Sequence, residues 1–409
     1  MLPLYNLGVH FYFFLITIAS FFNEKAKLFI NGRKNIKYQK YTKSAWFHFA
    51  SLGEFEQGAP VLSAFKLSHP DLAIIITFFS PSGFEVRKNT PLADAVYYLP
   101  LDTAANAQRF VEAINPTIAV FTKYEYWYHY FNELNKRNVP LYIISGIFRP
   151  KQIFFKWYGT LHRKMLGFVT RFFVQDENSQ QLLKTIGVDN VTVSGDTRFD
   201  RVWANALNPK SFPLINSFKN GGKIFIAGST WPEDEHLVAQ LVSLYPDWKF
   251  IIVPHEISGE KINKLIGLLP ANSSIRYSQF DPSSPTADHS PQTLIIDNIG
   301  MLSSLYQYGD IAYIGGGFGV GIHNTLEAAA FGLPVIFGPN YLRFKEACDL
   351  VELKAGFSIN NIEELKQTVS PLIENENIYH ETSNKIKEYV NKNTGATDMI
   401  IKSIKVKTA

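Results

Sequence analysis

The chain has 409 residues, 46% of them hydrophobic and 19% charged, enough for two domains of about 150–200 residues each. A net charge of +4 is too weak to argue for nucleic acid as a partner. The only cysteine, Cys348, excludes a disulfide framework within the chain and fits a reducing compartment, and no Cys/His cluster has zinc spacing.

Leu2 to Phe22 runs without a Lys, Arg, Asp or Glu, roughly the length that crosses a bilayer core. Pro3, Asn6 and His10 weaken that pattern. With no basic n-region and no clear A-x-A site, the segment reads as an uncleaved membrane anchor rather than a signal peptide. A buried core helix is the competing reading. Lys25, Lys27, Arg33, Lys34 and Lys37 follow at once, and the positive-inside rule then holds the next domain on the cytoplasmic side. Residues 1–36 are set apart as anchor and basic flank.

From residue 37 to 202, short apolar strands alternate with helical patterns. Strands are expected at 46–50, 72–79, 95–99, 117–121, 141–145, 171–174 and 191–194, with helices at 103–114 and 178–186 among those between. Residues 203–222 break the pattern with Asn208-Pro209, Pro213 and Asn220-Gly221-Gly222 and read as a linker. The alternation resumes over residues 223–409, with strands expected at 223–227, 249–253, 293–296, 310–314 and 334–337. Residues 270–292, rich in Ser and Pro, read as a surface excursion. A Lys-rich helical tail follows from Ile362, and its last helix is a candidate to cross back to the first domain. This is the pattern of an α/β chain with two parallel-sheet domains, which places a ligand cleft between them at the carboxyl ends of the strands.

The densest signal is DIAYIGGGFGVGIHNTLEAAAFGLPVIFGP, residues 310–339. A strand leads into Gly315, Gly316, Gly317, Gly319 and Gly321, then a helix start over His323 to Ala330. Free N–H groups at such a junction favour a phosphate. Asn324 and Glu327 share the helix entrance. A carboxylate there suits ribose hydroxyls, while Asn324 as N-cap with Glu327 at N3 is the plain alternative. No GxxxxGK[ST] loop exists, which argues against a P-loop phosphotransferase.

Other candidates sit where a strand ends. Glu54 in Ser51-Leu52-Gly53-Glu54 has the place of a general base, or of an acidic residue favoured by the helix dipole. Glu56 is expected to be solvated. In Thr122 to Trp127, Lys123 and Glu125 either pair with each other or position an anionic acceptor. Arg198 in Gly195 to Asp200 meets an anionic substrate, or an internal partner in Asp196 or Asp200. Gly228-Ser229-Thr230, Pro254-His255-Glu256 and Asn298 to Met301 end strands of the second domain. Each is weak alone; their shared position is the stronger argument.

In order, SLGE (51–54), SPSG (80–83), TKYEYW (122–127), GDTRFD (195–200), GST (228–230), DNIGML (297–302) and IHNTLEAAAFGLPVIFGP (322–339) resemble the 3-deoxy-D-manno-octulosonic acid (Kdo) transferases of lipopolysaccharide synthesis. The resemblance spans about residues 20–360. It implies a GT-B glycosyltransferase with two Rossmann-like domains, anchored at the cytoplasmic face of the inner membrane. Its substrates would be CMP-Kdo and a lipid A precursor, joined with inversion and without metal or cofactor. A GT-B enzyme using another nucleotide sugar, such as a UDP-sugar, is the alternative. Carried over, Glu54 matches the family's base, and Glu125 and Arg198 match groups that stabilise the transition state. CMP contacts fall on Pro254, His255, Ile299, Gly300, Met301, Asn324, Thr325, Leu326 and Glu327. Four motifs depart from the family. Pro254-His255 stands for Pro-Arg-His, Ile299-Gly300-Met301 for Met-Gly-Glu, Arg198 for Lys, and Gly321-Ile322-His323-Asn324 for Gly-Gly-His-Asn. A basic donor contact is therefore expected to be missing, and backbone rather than side chain serves at 299–301.

Overall fold

A computed structural model describes residues 1–282 and 291–407. The chain divides into two units, one formed by Met1–Arg201 with Asn393 onward, the other by Val202–Lys392.

The first unit is built on a seven-stranded parallel sheet: β1 (Ser44–Phe49), β2 (Ala73–Phe78), β3 (Ala95–Tyr98), β4 (Pro116–Thr122), β5 (Leu141–Gly146), β6 (Arg171–Val174) and β7 (Val191–Val193). The spatial order is β3-β2-β1-β4-β5-β6-β7. Each strand reads as a continuous apolar run because both faces are covered. Along β1, Trp46 enters one core while Ala45, Phe47 and Phe49 enter the other. The order reverses between β1 and β4, which are neighbours in register. Ligand crevices form at such a reversal, outside the strand carboxyl ends.

Helix α1 (Leu2–Ala19) and helix α2 (Glu24–Asn31) precede the sheet. α1 presents no buried residue, and Leu4, Leu7, Phe11, Phe14, Leu15 and Ile18 are exposed. Its other face is held. The Tyr5 hydroxyl donates to Asp102 (2.6 Å), and Asn6 Oδ1 meets His129 Nε2 at 2.7 Å. At the far end, α2 buries Phe29 and Ile30. The first three turns of α1 are thus tied to the unit through Tyr5, Asn6 and Tyr12, whose ring meets Phe29 and Phe79. Arg33, expected in the membrane-facing basic flank, is instead spent internally. Its guanidinium donates to the carbonyls of Leu99, Phe29 and Phe79 and sits 3.6 Å from the Phe29 ring centre. Burial brings its pKa down to about 10.

The tail returns to this unit. Asp200 accepts from Gly395 N and Thr397 N, both 2.6 Å, at the start of helix Ala396–Ser403. Ile400 and Ile404 join the core beside Phe47 and Phe173.

The second unit holds β8 (Ile224–Thr230), β9 (Lys249–Pro254), β10 (Ser274–Arg276), β11 (Thr293–Ile295), β12 (Ile311–Ile314), β13 (Val335–Phe337) and β14 (Gly356–Ser358), ordered β10-β11-β9-β8-β12-β13-β14, all parallel. Its reversal lies between β8 and β12. The edge strands β10 and β14 were not expected. Each is three residues long and too short to show a period. β10 falls within the Ser/Pro-rich stretch, whose residues 283–290 lie outside the described residues. The stretch expected as a linker is partly helical. Helix Thr197–Leu207 runs into it, and Pro213 opens a second helix that ends at Lys219. Pro is favoured at a helix's first turn, and Asn220 in the left-handed region closes it. The residues that read as breaks act as caps.

Candidate functional site

Glu54 and Glu125 follow neighbouring strands of the first sheet. Ser51 ends the turn after β1 as N-cap of helix α3 (Leu52–Ser68), and Glu54 lies in its first turn. The Ser51 hydroxyl donates to Glu54 Oε2, which ties the carboxylate to the start of the helix. Gly83 of the 80–83 turn packs against this corner. A Cβ there would stand 3.0 Å from the Ser51 carbonyl carbon. The Glu54 charge also reaches Tyr124, whose phenol burial pushes up first.

Glu125 follows β4, just after Lys123, which takes a left-handed φ of 60°. Its Oε2 receives two bonds, from Trp127 Nε1 at 2.9 Å and from His48 Nε2 at 3.1 Å. His48 belongs to β1 and is wholly buried. Behind it, Thr77 Oγ1 lies 2.8 Å from both His48 Nδ1 and Trp46 Nε1. Indole is a donor only and an ionised carboxylate an acceptor only: Thr77 accepts from Trp46, Glu125 takes the proton on His48 Nε2, and Nδ1 of the neutral ring accepts from Thr77. That assigns the Nε2–H tautomer, which donates to Glu125.

Arg198 lies in the first turn of helix Thr197–Leu207. Its side chain meets Asp196 through Nε (2.8 Å) and a terminal nitrogen (2.7 Å). Asp196 also accepts from Gln57 at 2.9 Å. Of the two internal partners expected for Arg198, the structure selects Asp196; Asp200 caps the tail helix. Glu56 is not solvated as expected. It pairs with Arg87 and with Arg201 (2.6 Å), because α3 turns that side toward both guanidinium groups.

In the second unit, the turns after β8, β9 and β12 converge. Gly315 donates to the Gly228 carbonyl at 2.9 Å. A Cβ on Gly315 would stand 2.3 Å from the Ser229 carbonyl oxygen, so only glycine fits. Asp234, 1% exposed, organises the turn. It accepts from Gly316 N (2.8 Å), Trp231 N (2.9 Å) and the Tyr313 hydroxyl (2.7 Å). Burial pushes its carboxyl up, and these bonds oppose that. His255, next after Pro254 at the end of β9, stacks between Trp231 and His323, with ring centres 4.6 Å apart on both sides. Trp231 Nε1 donates to His323 Nε2 at 3.1 Å.

The expected helix start at His323 begins later and is short, at Leu326–Ala329. Asn324 Oδ1 accepts from Leu326 N (3.1 Å) and its amide donates to Glu327 Oε1 (3.2 Å). The N–H groups expected to be free for a phosphate are partly spent: on Asn324 by Leu326, on Asp234 by Gly316, and on the Gly315 carbonyl by His323. Thr325 and Leu326 point into the core, so within 324–327 only Asn324 and Glu327 show side chains outward. Likewise Met301 is 6% exposed while Ile299 is 87% exposed, so at Met301 the backbone alone is available.

Residues 24–201 match the family model of the 3-deoxy-D-manno-octulosonic-acid transferases. A 3-deoxy-D-manno-octulosonic acid transferase of Chlamydia trachomatis serovar A is 28% identical over 350 residues, covering 81% of this chain and 78% of that protein. The transferase of Haemophilus influenzae is 27% identical, covering 88% and 86%.

The chain is a relative of the Kdo transferases, and residues 24–201 carry the domain their family model describes.

It is therefore a glycosyltransferase. Among solved structures, a UDP-GlcNAc 2-epimerase from Neisseria meningitidis shares the fold, at a TM-score of 0.60 and 15% identity over 88% of this chain and 99% of that one. The sequence alone did not point to His48, Trp231 or Asp234. The signal for Asp234 was present in Trp231-Pro232-Glu233-Asp234, a proline at the first helical position with an acid two residues on. His48 had none, because a histidine inside an apolar strand looks like core.

Proposed function

We propose that the protein transfers Kdo from CMP-Kdo to a lipid A precursor at the cytoplasmic face of the inner membrane. The observation that carries this is the placement of Glu54 and Glu125 after adjacent strands β1 and β4, at the reversal of strand order. Glu54 takes the proton of an acceptor sugar hydroxyl. That oxygen attacks the anomeric carbon of Kdo from the face opposite CMP. The bond between that carbon and the phosphate oxygen breaks, and CMP leaves with the electron pair. Glu125, held at Oε2 by His48 and Trp127, offers Oε1 to the reacting groups. Arg198, with Lys123 beside Glu125 in sequence, offsets the negative charge of donor and acceptor. In the second unit, Glu327 holds the ribose. The Trp231–His255–His323 stack and the backbone of 299–301 frame the rest of CMP.

The test is incubation with CMP-Kdo and a tetra-acylated lipid A precursor, with the product weighed by mass spectrometry. A mass gain of one or more Kdo residues supports the reading. Transfer from a UDP-sugar instead, with thermal stabilisation by UDP and not CMP, overturns the donor assignment.

A further inference from the structure

Between α1 and the carboxyl edge of the first sheet lies a groove of about 440 Å³ that neither carboxylate occupies. One wall is the inner face of α1, where Tyr5, Gly8, Val9 and Tyr12 fall at helical spacing. The other is Phe79, Leu101, Asp102 and Trp127, and the Asp102 carboxylate is taken up by the Tyr5 hydroxyl and the backbone N–H groups of His129 and Tyr130. Its size falls within the range of small-molecule sites. Three contacts fix its shape. Tyr12 stacks over Phe79 with ring centres 6.2 Å apart, Phe79 lies 4.9 Å from Trp127, and Arg33 donates to the Phe79 carbonyl at 2.6 Å.

Two features say what fills it. Its outer rim is α1, whose opposite face is the exposed stripe of Leu4, Leu7, Phe11, Phe14, Leu15 and Ile18. That face is apolar and uncharged, on a helix long and apolar enough to enter a membrane, so the groove opens beside acyl chains. Its inner end is Trp127, whose ring lines the groove while its N–H holds Glu125. Tyr12 likewise lies within electrostatic reach of the Glu125 carboxylate. An apolar groove that starts at lipid and ends at a catalytic carboxylate fits a molecule with a chain at one end and a reacting sugar at the other. We infer that this groove takes one acyl chain of the lipid acceptor and thereby sets the acceptor hydroxyl before Glu54. The inference rests on the proposed acceptor. It adds that chain recognition belongs to the first unit itself and is separate from membrane attachment by the outer face of α1.

A Cβ on Gly8 meets nothing within 4 Å, so Gly8→Phe adds a ring at the α1 wall of the groove without a backbone clash. In detergent micelles, the full-length variant is expected to raise KM for a tetra-acylated acceptor at least tenfold. Its turnover of the fully deacylated acceptor sugar stays at the wild-type level. Leu7→Ser, on the outer face, is expected to weaken binding to anionic phospholipid vesicles and leave the ratio of the two acceptors unchanged. Equal effects of Gly8→Phe on both acceptors, or none on either, overturn the inference. So does a Gly8→Phe protein that loses only vesicle binding, because the groove then takes a bulk phospholipid chain. A second readout needs no turnover. A polyene fatty acid is expected to quench tryptophan emission saturably in the wild type and not in Gly8→Phe. Should wild type transfer nothing yet bind that probe saturably, the acceptor reading fails and the groove stands as a chain site. Absence of probe binding to wild type removes the site.

Discussion

His48 Nε2 donates to Glu125 Oε2 across 3.1 Å, from a ring with no solvent exposure. β1 thereby fixes a carboxylate carried by the turn after β4. Trp46 and Thr77 hold the ring from behind, so in the proposed reaction His48 acts through Glu125, as a positioning residue. His48→Ala should lower kcat by up to ~10²-fold while CMP still raises Tm as in wild type. His48→Gln, which keeps an N–H donor, should recover part of that loss. A normal kcat in His48→Ala removes the role.

Glu54→Gln keeps the shape of the side chain and its contact with Ser51 but cannot take a proton. A positioned general base supplies about 10²–10⁴ in rate, so turnover should fall by at least about 10²-fold. Nucleotide binding, proposed for the other unit, should be unchanged in a thermal-shift titration. Near-normal turnover would falsify the base assignment.

Asp234 is the hub of the donor-side turn. Asp234→Ala leaves Gly316 N, Trp231 N and the Tyr313 hydroxyl without their shared acceptor. Buried donors left unpaired cost roughly 1–3 kcal/mol each, and relaxation of the turn recovers some of it. The expected loss is about 2–5 kcal/mol by denaturant unfolding, together with weakened CMP binding. Asp234→Asn keeps one oxygen and should lie between. Wild-type stability in Asp234→Ala would show the turn to be held otherwise.

Two glycines of the same stretch should separate cleanly. Gly315→Ala drives a Cβ into the Ser229 carbonyl, whereas a Cβ on Gly319 meets only the Gly316 carbonyl oxygen at 3.8 Å. Gly315→Ala should abolish CMP-induced stabilisation, and Gly319→Ala should change stability by less than about 1 kcal/mol. Equal behaviour of the two variants contradicts the close approach of β8 and β12 turns.

His323 gives a pH dependence with a definite sign. Burial, and then the neighbouring His255, hold its imidazole below its usual 6.5. A depressed folded pKa means the unfolded chain binds the proton more readily. The contribution to stability is therefore complete above pH 6.5 and is lost as pH falls through the folded value. Tm should drop between pH 7.5 and 5.5 more in wild type than in His323→Gln. An identical drop in both assigns the effect elsewhere.

Much of the fold was legible because buried parallel strands are unambiguous as apolar runs. Trp46 to Ala50 and Leu72 to Phe79 fall within a residue or two of β1 and β2. β10 and β14 escaped because three-residue edge strands carry no period. At the site, Glu54, Glu125 and Arg198 could be found from their place after strands. Asp196 was one of two partners open to Arg198 in the sequence, but His48 and Gln57 could not be found, since they meet Glu125 and Asp196 only through the fold. The same limit applies to Arg33, which reads as a surface charge until three carbonyls close around it. Thr325 and Leu326 share the converse error: a motif names contiguous positions, but a helical turn sends only some of them outward, here Asn324 and Glu327.

The return of the tail has a consequence for biosynthesis. Ile400, Ile404 and the Asp200 cap complete the core of the first unit with residues translated after the whole of the second. On the ribosome, the unit that carries α1 and Glu54 is made first but finished last. It therefore waits with an open apolar seam while the second unit forms, a stage at which chaperones and the membrane compete for it. A nascent chain arrested before Asn393 should accordingly hold a closed second unit and an unfinished first one.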